Sequence, residues 1–562
     1  METSLRPYRW IPISVCWVTT IGVNMNLHFS GGANEVGASS TLIEIEESRI
    51  LVDAGIRMGP GQVSPLPDFP DFAKIGMPDA VLLTHAHTDH TGALPVLHNM
   101  LSADVKIYCT PATKAITKVL LEDSARRMAR EEENDEALRY IPADVAAVLN
   151  RMEIVGWLEP REVCPGVTAT WIPAGHILGA AMIHIQGKHE SILMTGDVSV
   201  TNQLTIRGLA LPSWCKKPDV MVMESTYGNR QHEVPRKQEA KRLVADVAEV
   251  IAAGGKVLIP AFAVGRSQEV ILILKRAMER KEIPEFPVYV DGMVRKVNGL
   301  YADFVDELQP SLRRKAERGE RLFYSDSIKK VASRGESDSI LKGPPCCIVA
   351  SSGMLVGGMS SHYAKQLVRD PKNLIAITGY QGEGTPGRAL ENLQKVGEHA
   401  EGEWQLDAET SVCVKCRVKR YSLSAHADSH ELLALVEEVQ PRKLFVVHGN
   451  AEARGELFKS VCKACPAVDV KLPENGRAYL VKKRIGISKG RRFSNDRISE
   501  IAAFVRKRQL KGPFHVRELA EIWFGTEAIT PVGAAFFKWC LSLEGQFFAR
   551  GTGNVFHLRQ IG

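Results

Sequence analysis

The densest group of potential metal ligands lies between His85 and His90, where three histidines and an aspartate fall within the segment LLTHAHTDHTG. The chain holds only 16 histidines in 562 residues, so this density needs a common cause. A polar surface loop is the simplest alternative, but uncommitted histidines would repel one another once protonated. Imidazole nitrogens together with a carboxylate match the ligand preferences of zinc. The stretch therefore predicts a divalent metal site.

Polar residues that interrupt apolar, glycine-flanked segments supply further candidate ligands. With the cluster, the full set is His85, His87, Asp89, His90, His176, Asp197 and His448. This set exceeds one tetrahedral site and suits two adjacent metals that share a carboxylate. Two such metals can clamp both ends of a displacement at phosphorus, so the set indicates hydrolysis, with phosphodiesters as a natural substrate. His426 and Glu224 are further polar residues at predicted strand ends.

Alternating strand and helix patterns must position these residues. The hairpin STLIEIEESRILVDAG ends on Asp53, and the apolar strand DAVLLTH leads into the histidine cluster. Residues 111–150 have a charged helical pattern to which we assign no chemistry. A second series of strand, glycine-rich turn and helix begins near PDVMVMESTYG, and the first pattern returns at ETSVCVKCRVKRYSLSAHAD. The sequence thus predicts an α/β domain with a second α/β lobe inserted into it.

The composition is that of a globular protein, with 44% hydrophobic and 24% charged residues, and excludes disordered and fibrous classes. Eleven cysteines in so long a chain do not form a disulfide scaffold, which favours a reducing cytoplasm. Residues 1–24 resemble a weak signal peptide or an extension from an upstream start codon. No other segment approaches the roughly 18 apolar residues of a membrane span, so we expect no membrane association.

The segment from Lys482 to Lys511 is strongly basic, with eleven Lys and Arg against two acidic residues. It is either a solubilising linker or a surface that attracts nucleic acid through its phosphates. Three helix patterns and a hairpin around Gly551-Thr-Gly553 follow Ser488. They predict a winged helix-turn-helix module, with another small helical domain as the alternative.

Taken in order, seven motifs resemble a known family over roughly Asn26 to Arg484. They are THAHTDH, ESTYG, IPAFAVGRSQE, ASSGM, GYQGEGTPGR, SLSAHAD and VVHG. The first resembles the signature of the metallo-β-lactamase fold, and the others resemble motifs of its β-CASP branch. That branch includes the endonuclease subunit of the cleavage and polyadenylation specificity factor, its archaeal relatives and ribonuclease J.

The resemblance implies a metallo-β-lactamase αββα sandwich with an inserted β-CASP α/β lobe, to which the C-terminal pattern adds a small winged-helix-like domain. The expected division is an N-terminal extension at 1–24, the sandwich at 25–223 and 401–487, the lobe at 224–400 and the basic C-terminal domain at 488–562.

The resemblance also implies a role for each candidate residue. His85, His87 and His176 would hold one zinc, and Asp89, His90 and His448 the other, with Asp197 bridging the two. Asp53 would accept a hydrogen bond from a ligand histidine. A hydroxide bound to the two zinc ions and oriented by Asp89 would attack phosphorus. His426, held by Glu224, would protonate the leaving 3′ oxygen.

The implied substrate is RNA, because branch members that act on RNA resemble this chain in having histidine at the position of His448. SLSAHAD resembles the polyadenylation-factor type, which favours endonucleolytic cutting, while an exonuclease mode and a homodimer stay open. The alternatives are a DNA nuclease, a hydrolase of smaller esters and an inactive RNA-binding scaffold.

Two glycine-rich turns are candidate phosphate contacts. The candidate residues are Ser351, Ser352, Gly353 and Arg388. Their backbone N–H groups or the guanidinium could meet phosphate oxygens. The alternative is that the turns only reverse the chain and that Arg388 is a solvated charge.

Overall fold

The computed structural model describes residues 25–57, 64–70, 72–129, 138–232, 234–394, 402–406 and 410–481, with short pieces at 506–507, 514–515, 548–550 and 555–558. The N-terminal extension predicted at 1–24 lies outside the described residues. So do most of the basic segment and, apart from helical Arg506 and Lys507, the helices predicted after Ser488.

The elements of the first part of the chain are β1 (Met25–Gly31), β2 (Ser40–Ile45), β3 (Ser48–Val52), α1 (Phe72–Ile75), β4 (Ala80–Leu82), α2 (Thr88–Thr91), α3 (Leu94–His98), β5 (Lys106–Cys109), α4 (Pro111–Met128), α5 (Pro142–Arg151), β6 (Met152–Ile154), β7 (Arg161–Cys164), β8 (Val167–Pro173), β9 (Ala181–Gln186), β10 (Ser191–Met194) and β11 (Val220–Met223). The elements of the middle part are α6 (Arg236–Ala252), β12 (Val257–Pro260), α7 (Arg266–Glu279), β13 (Val288–Asp291), α8 (Val294–Asp303), α9 (Pro310–Glu317), β14 (Ile328–Lys330), α10 (Arg334–Lys342), β15 (Cys347–Ala350), α11 (Gly358–Leu367), β16 (Leu374–Ile377), α12 (Pro386–Gln394), β17 (Gly402–Gln405), β18 (Ser411–Val414) and β19 (Arg417–Arg420). The last elements are α13 (Ser429–Val439), β20 (Lys443–Val446), α14 (Ala451–Ala464), β21 (Asp469–Lys471), β22 (Arg477–Val481), β23 (Phe514–His515), β24 (Phe548–Arg550) and β25 (Val555–Leu558).

Two seven-stranded sheets form the sandwich, in the orders β22-β1-β2-β3-β4-β5-β6 and β21-β20-β11-β10-β9-β8-β7. Their facing sides share one hydrophobic core, to which β1, β3, β9 and β11 all contribute. Strand periodicity explains how one sheet serves two cores: Val220 and Val222 of β11 face the partner sheet, and Met221 and Met223 face the helices outside. Both faces of β11 are buried, as expected for a strand with parallel neighbours.

Helices cover the outer face of each sheet and complete the predicted αββα sandwich. Leu97 of α3, Leu121 of α4 and Val145 of α5 pack on the outer side of the first sheet. Leu432 of α13 and Leu457 of α14 pack on the outer side of the second. No helix within the described ranges is both long enough and apolar enough to span a bilayer.

The inserted lobe is built on a six-stranded sheet, in the order β14-β13-β15-β12-β16-β19, in which all strand pairs are parallel. On one side, α6, α7 and α8 pack in a core continuous with that of the second sandwich sheet. On the other, α10, α11 and α12 pack with the β17–β18 hairpin. Because β19 pairs with β16, we propose that the lobe extends through Arg420 rather than ending at residue 400.

Near the C-terminus, β24 and β25 pair in antiparallel fashion and β23 joins them at the other edge of β25. This pairing fits the hairpin predicted around Gly551-Thr-Gly553, whose turn residues lie outside the described part of the chain.

Candidate active site

The predicted ligands lie just beyond the carboxyl ends of strands. His85 follows β4, Asp197 follows β10 and His448 follows β20. Since β10, β11 and β20 run parallel to one another, their carboxyl ends meet at one edge of the second sheet. Side chains that are distant in sequence therefore converge there, as ligands of open α/β sheets generally do.

The short helix α2 and His87, the residue before it, present the rest of the local cluster, and the backbone of α2 is held against the segments before β2 and after β3. The Ser39 N–H donates to the carbonyl of Asp89 (2.9 Å), and the Ala54 N–H donates to that of His90 (2.8 Å). A Cβ on Gly55 would lie 1.6 Å from the Asp89 carbonyl oxygen. Only glycine permits this approach, so Gly55 fixes the position of two ligands without touching a metal.

The first group of ligand atoms consists of three imidazole nitrogens and one carboxylate oxygen. His87 Nδ1 lies 3.2 Å from His85 Nε2 and 3.1 Å from His176 Nε2. Asp197 Oδ2 lies 3.5 Å from His85 Nε2 and 3.6 Å from His176 Nε2. The four atoms surround one point, as the ligands of a tetrahedral metal would.

The second group shares Asp197 through its other oxygen. Asp197 Oδ1 lies 3.6 Å from His90 Nε2 and 3.4 Å from His448 Nδ1. His448 Nε2 in turn lies 3.4 Å from Asp89 Oδ2. The two oxygens of one carboxylate thus face two separate sets of ligands.

The donor set fits the binding of a divalent metal. Asp197 Oδ1 and His448 Nε2 are buried and make no hydrogen bond within the described structure, which is costly for polar atoms unless another group binds them. Burial, reinforced by the neighbouring histidines, lowers the pKa of His85 and of His176 well below the usual value. Neutral imidazole is the form that binds metal, so these two ligands are ready for a cation.

Hydrogen bonds outside the cluster orient the ligand rings. Asp53 Oδ2 accepts from His90 Nδ1 (2.8 Å), and its carboxylate also accepts from the N–H and hydroxyl of Thr84 (2.8 and 2.7 Å). His176 Nδ1 donates to the carbonyl of Ala425 (2.9 Å). Such bonds fix which ring nitrogen faces the metal. Burial lowers the pKa of His90, but Asp197 and Asp53 outweigh it and raise the pKa to about 10, so this position favours a cation.

His426 and Glu224 form a pair beside the cluster. Glu224 oxygens both lie 3.0 Å from His426 Nδ1, and Glu224 Oε1 also accepts from the Val198 N–H (2.8 Å). Burial lowers the pKa of His426, but the carboxylates of Glu224 and Asp197 raise it to about 9. The ring lies 4.5 Å from that of His176, centroid to centroid. A protonated imidazole is therefore held at the edge of the metal ligands.

A cavity of about 400 Å³ opens over both groups, between the sandwich and the lobe. The sandwich contributes His87 and His176, and the lobe contributes Phe262, Arg266 and Tyr380. Sequence reasoning missed Arg266, although it lies in the motif IPAFAVGRSQE. The sequence feature that could have identified Arg266 is a charged residue where a strand, a glycine turn and a helix meet, since substrate contacts of α/β folds concentrate at such positions.

The predicted phosphate contacts lie in or beside the two turns whose residues Met354, Gly382 and Glu383 line the cavity. None of the four is among the residues that line the cavity. Ser351 Oγ accepts from the Met293 N–H (3.2 Å), and the Gly353 carbonyl accepts from Gln381 (3.0 Å). Arg388 is bound by Glu391 (2.6 Å) and lies 3.4 Å from Glu383. Ser352 Oγ donates to the carbonyl of Val356 (3.2 Å). These contacts hold the lobe's turns, and phosphate binding there stays a prediction.

Comparison with known families identifies three segments. A metallo-beta-lactamase superfamily domain matches residues 42–226, a Beta-Casp domain matches 267–390, and a Zn-dependent metallo-hydrolase RNA specificity domain matches 411–460. A crystal structure of a protein of unknown function from Enterococcus faecalis matches 82% of this chain and 100% of its own, with a TM-score of 0.50 and 16% identity. At that identity the likeness concerns the fold alone.

Curated relatives cover most of the chain. The transcription termination factor FttA of Thermococcus kodakarensis is 35% identical over 80% of this chain and 70% of its own length. That of Pyrococcus horikoshii is 36% identical over 77% of this chain and 67% of its own. An RNase J-like protein of Methanocaldococcus jannaschii is 31% identical over 75% of this chain and 92% of its own. The chain therefore belongs to the RNA-processing nucleases of the β-CASP branch of the metallo-β-lactamase superfamily, which are metal-dependent hydrolases.

Proposed function

We propose that the protein is a zinc-dependent ribonuclease with two zinc ions per chain that cuts RNA phosphodiester bonds internally, in RNA processing or decay. One observation carries the proposal: the two oxygens of Asp197 face two groups of predicted ligands on the floor of a cleft. The pair of His426 and Glu224 stands beside them. All seven predicted ligands are present, which argues against an inactive scaffold.

Zinc suits the donor set of imidazoles and carboxylates. Two zinc ions would neutralise the charge of the scissile phosphate and lower the pKa of the attacking water, which makes that water a stronger nucleophile. Asp89 lines the cavity and would orient that water. Burial raises the pKa of Asp89, but the nearby rings of His448, His90 and His87 lower it far below the usual range. The carboxylate is therefore ionised and able to accept a hydrogen bond from the water.

His426 would complete the reaction. Glu224 holds Nδ1, which leaves Nε2 as the nitrogen that would protonate the leaving 3′ oxygen. The bond between phosphorus and the 3′ oxygen breaks as the new bond to the water oxygen forms. The products are a 5′-phosphate and a 3′-hydroxyl.

RNA is the favoured substrate for three reasons. Residues 411–460 match an RNA specificity domain, His448 occupies the position at which RNA-acting members have histidine, and an RNase J-like relative aligns over most of its length. The cavity also presents Tyr227, Phe262 and Tyr380. Aromatic side chains of this kind stack on the unpaired bases of single-stranded RNA.

End-labelled substrates test the proposal. Purified protein is incubated with RNA carrying a 5′ or a 3′ label, and with DNA of the same sequence, with and without a chelator. We expect matching internal cuts from both labels, loss of cutting with chelator, and little cutting of DNA. Cutting of DNA alone would refute the substrate, release of single nucleotides from one end would refute the endonuclease mode, and no cutting by zinc-loaded protein would favour the scaffold.

The relatives named transcription termination factor favour a second role, in which the RNA is a nascent transcript. The test is transcription by the host polymerase on a long template with and without the protein. Shortened transcripts with wild-type protein, and full-length transcripts with an Asp197→Ala variant, are the expected result. Transcripts of unchanged length would indicate that the enzyme acts only on RNA released from the polymerase.

The cysteines support a cytoplasmic location, since the nine in the described ranges are all free. A homodimer stays a prediction, which sedimentation at several protein concentrations would test.

A further inference from the structure

Arg266, the first residue of α7, carries a buried charge without a partner. Only 7% of the residue is exposed, and its Nη1 makes no hydrogen bond in the described structure. No carboxylate among the described residues lies within ion-pair distance of it. Buried charges in folded proteins are almost always paired, because an isolated one loses its hydration without compensation. An unpaired arginine at such a site therefore calls for a ligand.

Glu269, one turn further along α7, is the obvious candidate partner but is fully engaged elsewhere. Its Oε1 accepts from the N–H (2.7 Å) and hydroxyl (2.6 Å) of Thr205. Its Oε2 accepts from the Leu204 N–H (2.9 Å) and from Arg236 (3.0 Å). Glu269 thus forms its ion pair with Arg236, and Arg266 has only the longer-range attraction of this carboxylate.

Arg266 lies beside the metal ligands. It lines the same cavity as His87 and His426. The preceding residue, Gly265, has φ +84° and packs so closely that a Cβ there would lie 2.7 Å from Ile177, the neighbour of His176. The lobe therefore places the start of α7 against the loop that carries a metal ligand.

Burial, with a smaller contribution from Arg236, lowers the pKa of Arg266 to about 9, and the negative charge of Glu269 opposes this shift only in part. The protein thus makes this cation less favourable than it would be in water, and an anion in the cavity would reverse the effect. Natural proteins keep a locally destabilising group, such as this buried cation, mainly where function requires it.

We propose that Arg266 is a substrate-binding residue that contacts a phosphate of the RNA strand on the lobe side of the metal ligands. The inference rests on the proposed ribonuclease function and adds to it a residue outside the predicted set. The planar guanidinium can form two parallel hydrogen bonds to a phosphate, and these are strong where water is excluded.

Three variants test the role in full-length, zinc-loaded protein. Arg266→Met removes the charge but keeps much of the side-chain volume. Arg266→Lys keeps the charge but loses the planar guanidinium that can form two parallel hydrogen bonds. Arg280→Met, at the exposed far end of the same helix, is the matched control. RNA binding is measured over a salt series in a His426→Ala background, which keeps the RNA intact.

We expect Arg266→Met to weaken RNA binding about 10- to 100-fold, as for loss of a hydrogen-bonded charge. The slope of log K against log[salt] should fall by about 0.7, the contribution of one phosphate contact on a single strand. Arg266→Lys should keep the slope and lose only part of the affinity, and Arg280→Met should match the parent. The melting temperature of Arg266→Met should equal or exceed that of the parent, whereas a purely structural arginine would lower it.

A neutral-linkage scan locates the contact. Single methylphosphonates are placed in turn along the RNA, and we expect one linkage whose substitution weakens binding to the parent but not to Arg266→Met. Parent-like affinity and salt slope in Arg266→Met would overturn the inference while the ribonuclease stands. If wild-type protein neither binds nor cuts RNA, the proposed function itself fails. Should Arg266→Met not fold, Arg266→Lys decides, since unchanged affinity there overturns the inference.

Discussion

His90 and His426 are held in the same way, and the proposed mechanism gives them different roles. In each ring Nδ1 meets a carboxylate, Asp53 at 2.8 Å for His90 and Glu224 at 3.0 Å for His426. The His90 side chain is 3% exposed and turns Nε2 toward Asp197, whereas that of His426 is 16% exposed and borders the cavity. In the proposed mechanism, the group that faces the second nitrogen determines whether such a pair holds a metal or donates a proton.

Removing the carboxylate that both rings approach should have the largest effect. Asp197 lies 3.6 Å from His90 Nε2 and 4.0 Å from His426 Nδ1, and both ligand groups depend on it. We expect Asp197→Ala to lose both metals and all detectable RNA cleavage. Elemental analysis of the purified variant, beside a cleavage assay, measures both. Retention of two zinc ions would show that the carboxylate does not bridge them.

His426→Ala should separate the two kinds of histidine. We expect cleavage to fall by roughly 10²- to 10⁴-fold, the usual contribution of a general acid, while the metal content stays unchanged. His90→Ala should instead lose metal together with activity. The comparison requires single-turnover rates and zinc content for both variants, and equal metal loss in the two would remove the distinction.

Substitution of Asp53, the carboxylate that binds His90 Nδ1, should weaken zinc binding more than it slows RNA cleavage by the zinc-loaded protein. We expect Asp53→Ala to weaken zinc binding about 10- to 100-fold, with cleavage largely restored by excess zinc. Asp326→Ala, at an exposed position, is the control. Zinc titration in a competing chelator gives the affinities. Unchanged affinity would mean that Asp53 supports the fold rather than the ligand.

Substitution of Glu224, the carboxylate that binds His426 Nδ1, should have the smallest effect on the cleavage rate. Its main effect should be on how that rate depends on pH. His426 acts while protonated, so the cleavage rate falls as pH rises through its pKa. Glu224 is the main cause of the increase in that pKa to about 9. In Glu224→Gln the alkaline fall should therefore begin at lower pH, with a modest change in rate at acidic pH. A pH–rate profile identical to that of the parent would contradict the assignment.

The convergence of the proposed metal ligands could be predicted from the sequence because most of these residues follow strand ends within recognisable motifs, while their roles as ligands stay a prediction. The motif order also predicted the inserted lobe. The lobe end that we propose at Arg420 was less accessible, because it rests on the pairing of β19 with β16, which no local pattern reveals. The free charge of Arg266 was inaccessible for a similar reason. Arg266 lacks an ion-pair partner because the Glu269 carboxylate already accepts hydrogen bonds from Leu204 and Thr205. These contacts join residues more than 60 positions apart in the chain.

The most direct test of the two-metal ribonuclease is a zinc titration of metal-stripped protein with RNA cleavage as the readout. We expect no cutting of RNA by the stripped protein and a rate that reaches its maximum at about two zinc ions per chain. Full activity without zinc, or a maximum already reached at one zinc ion, would contradict this expectation.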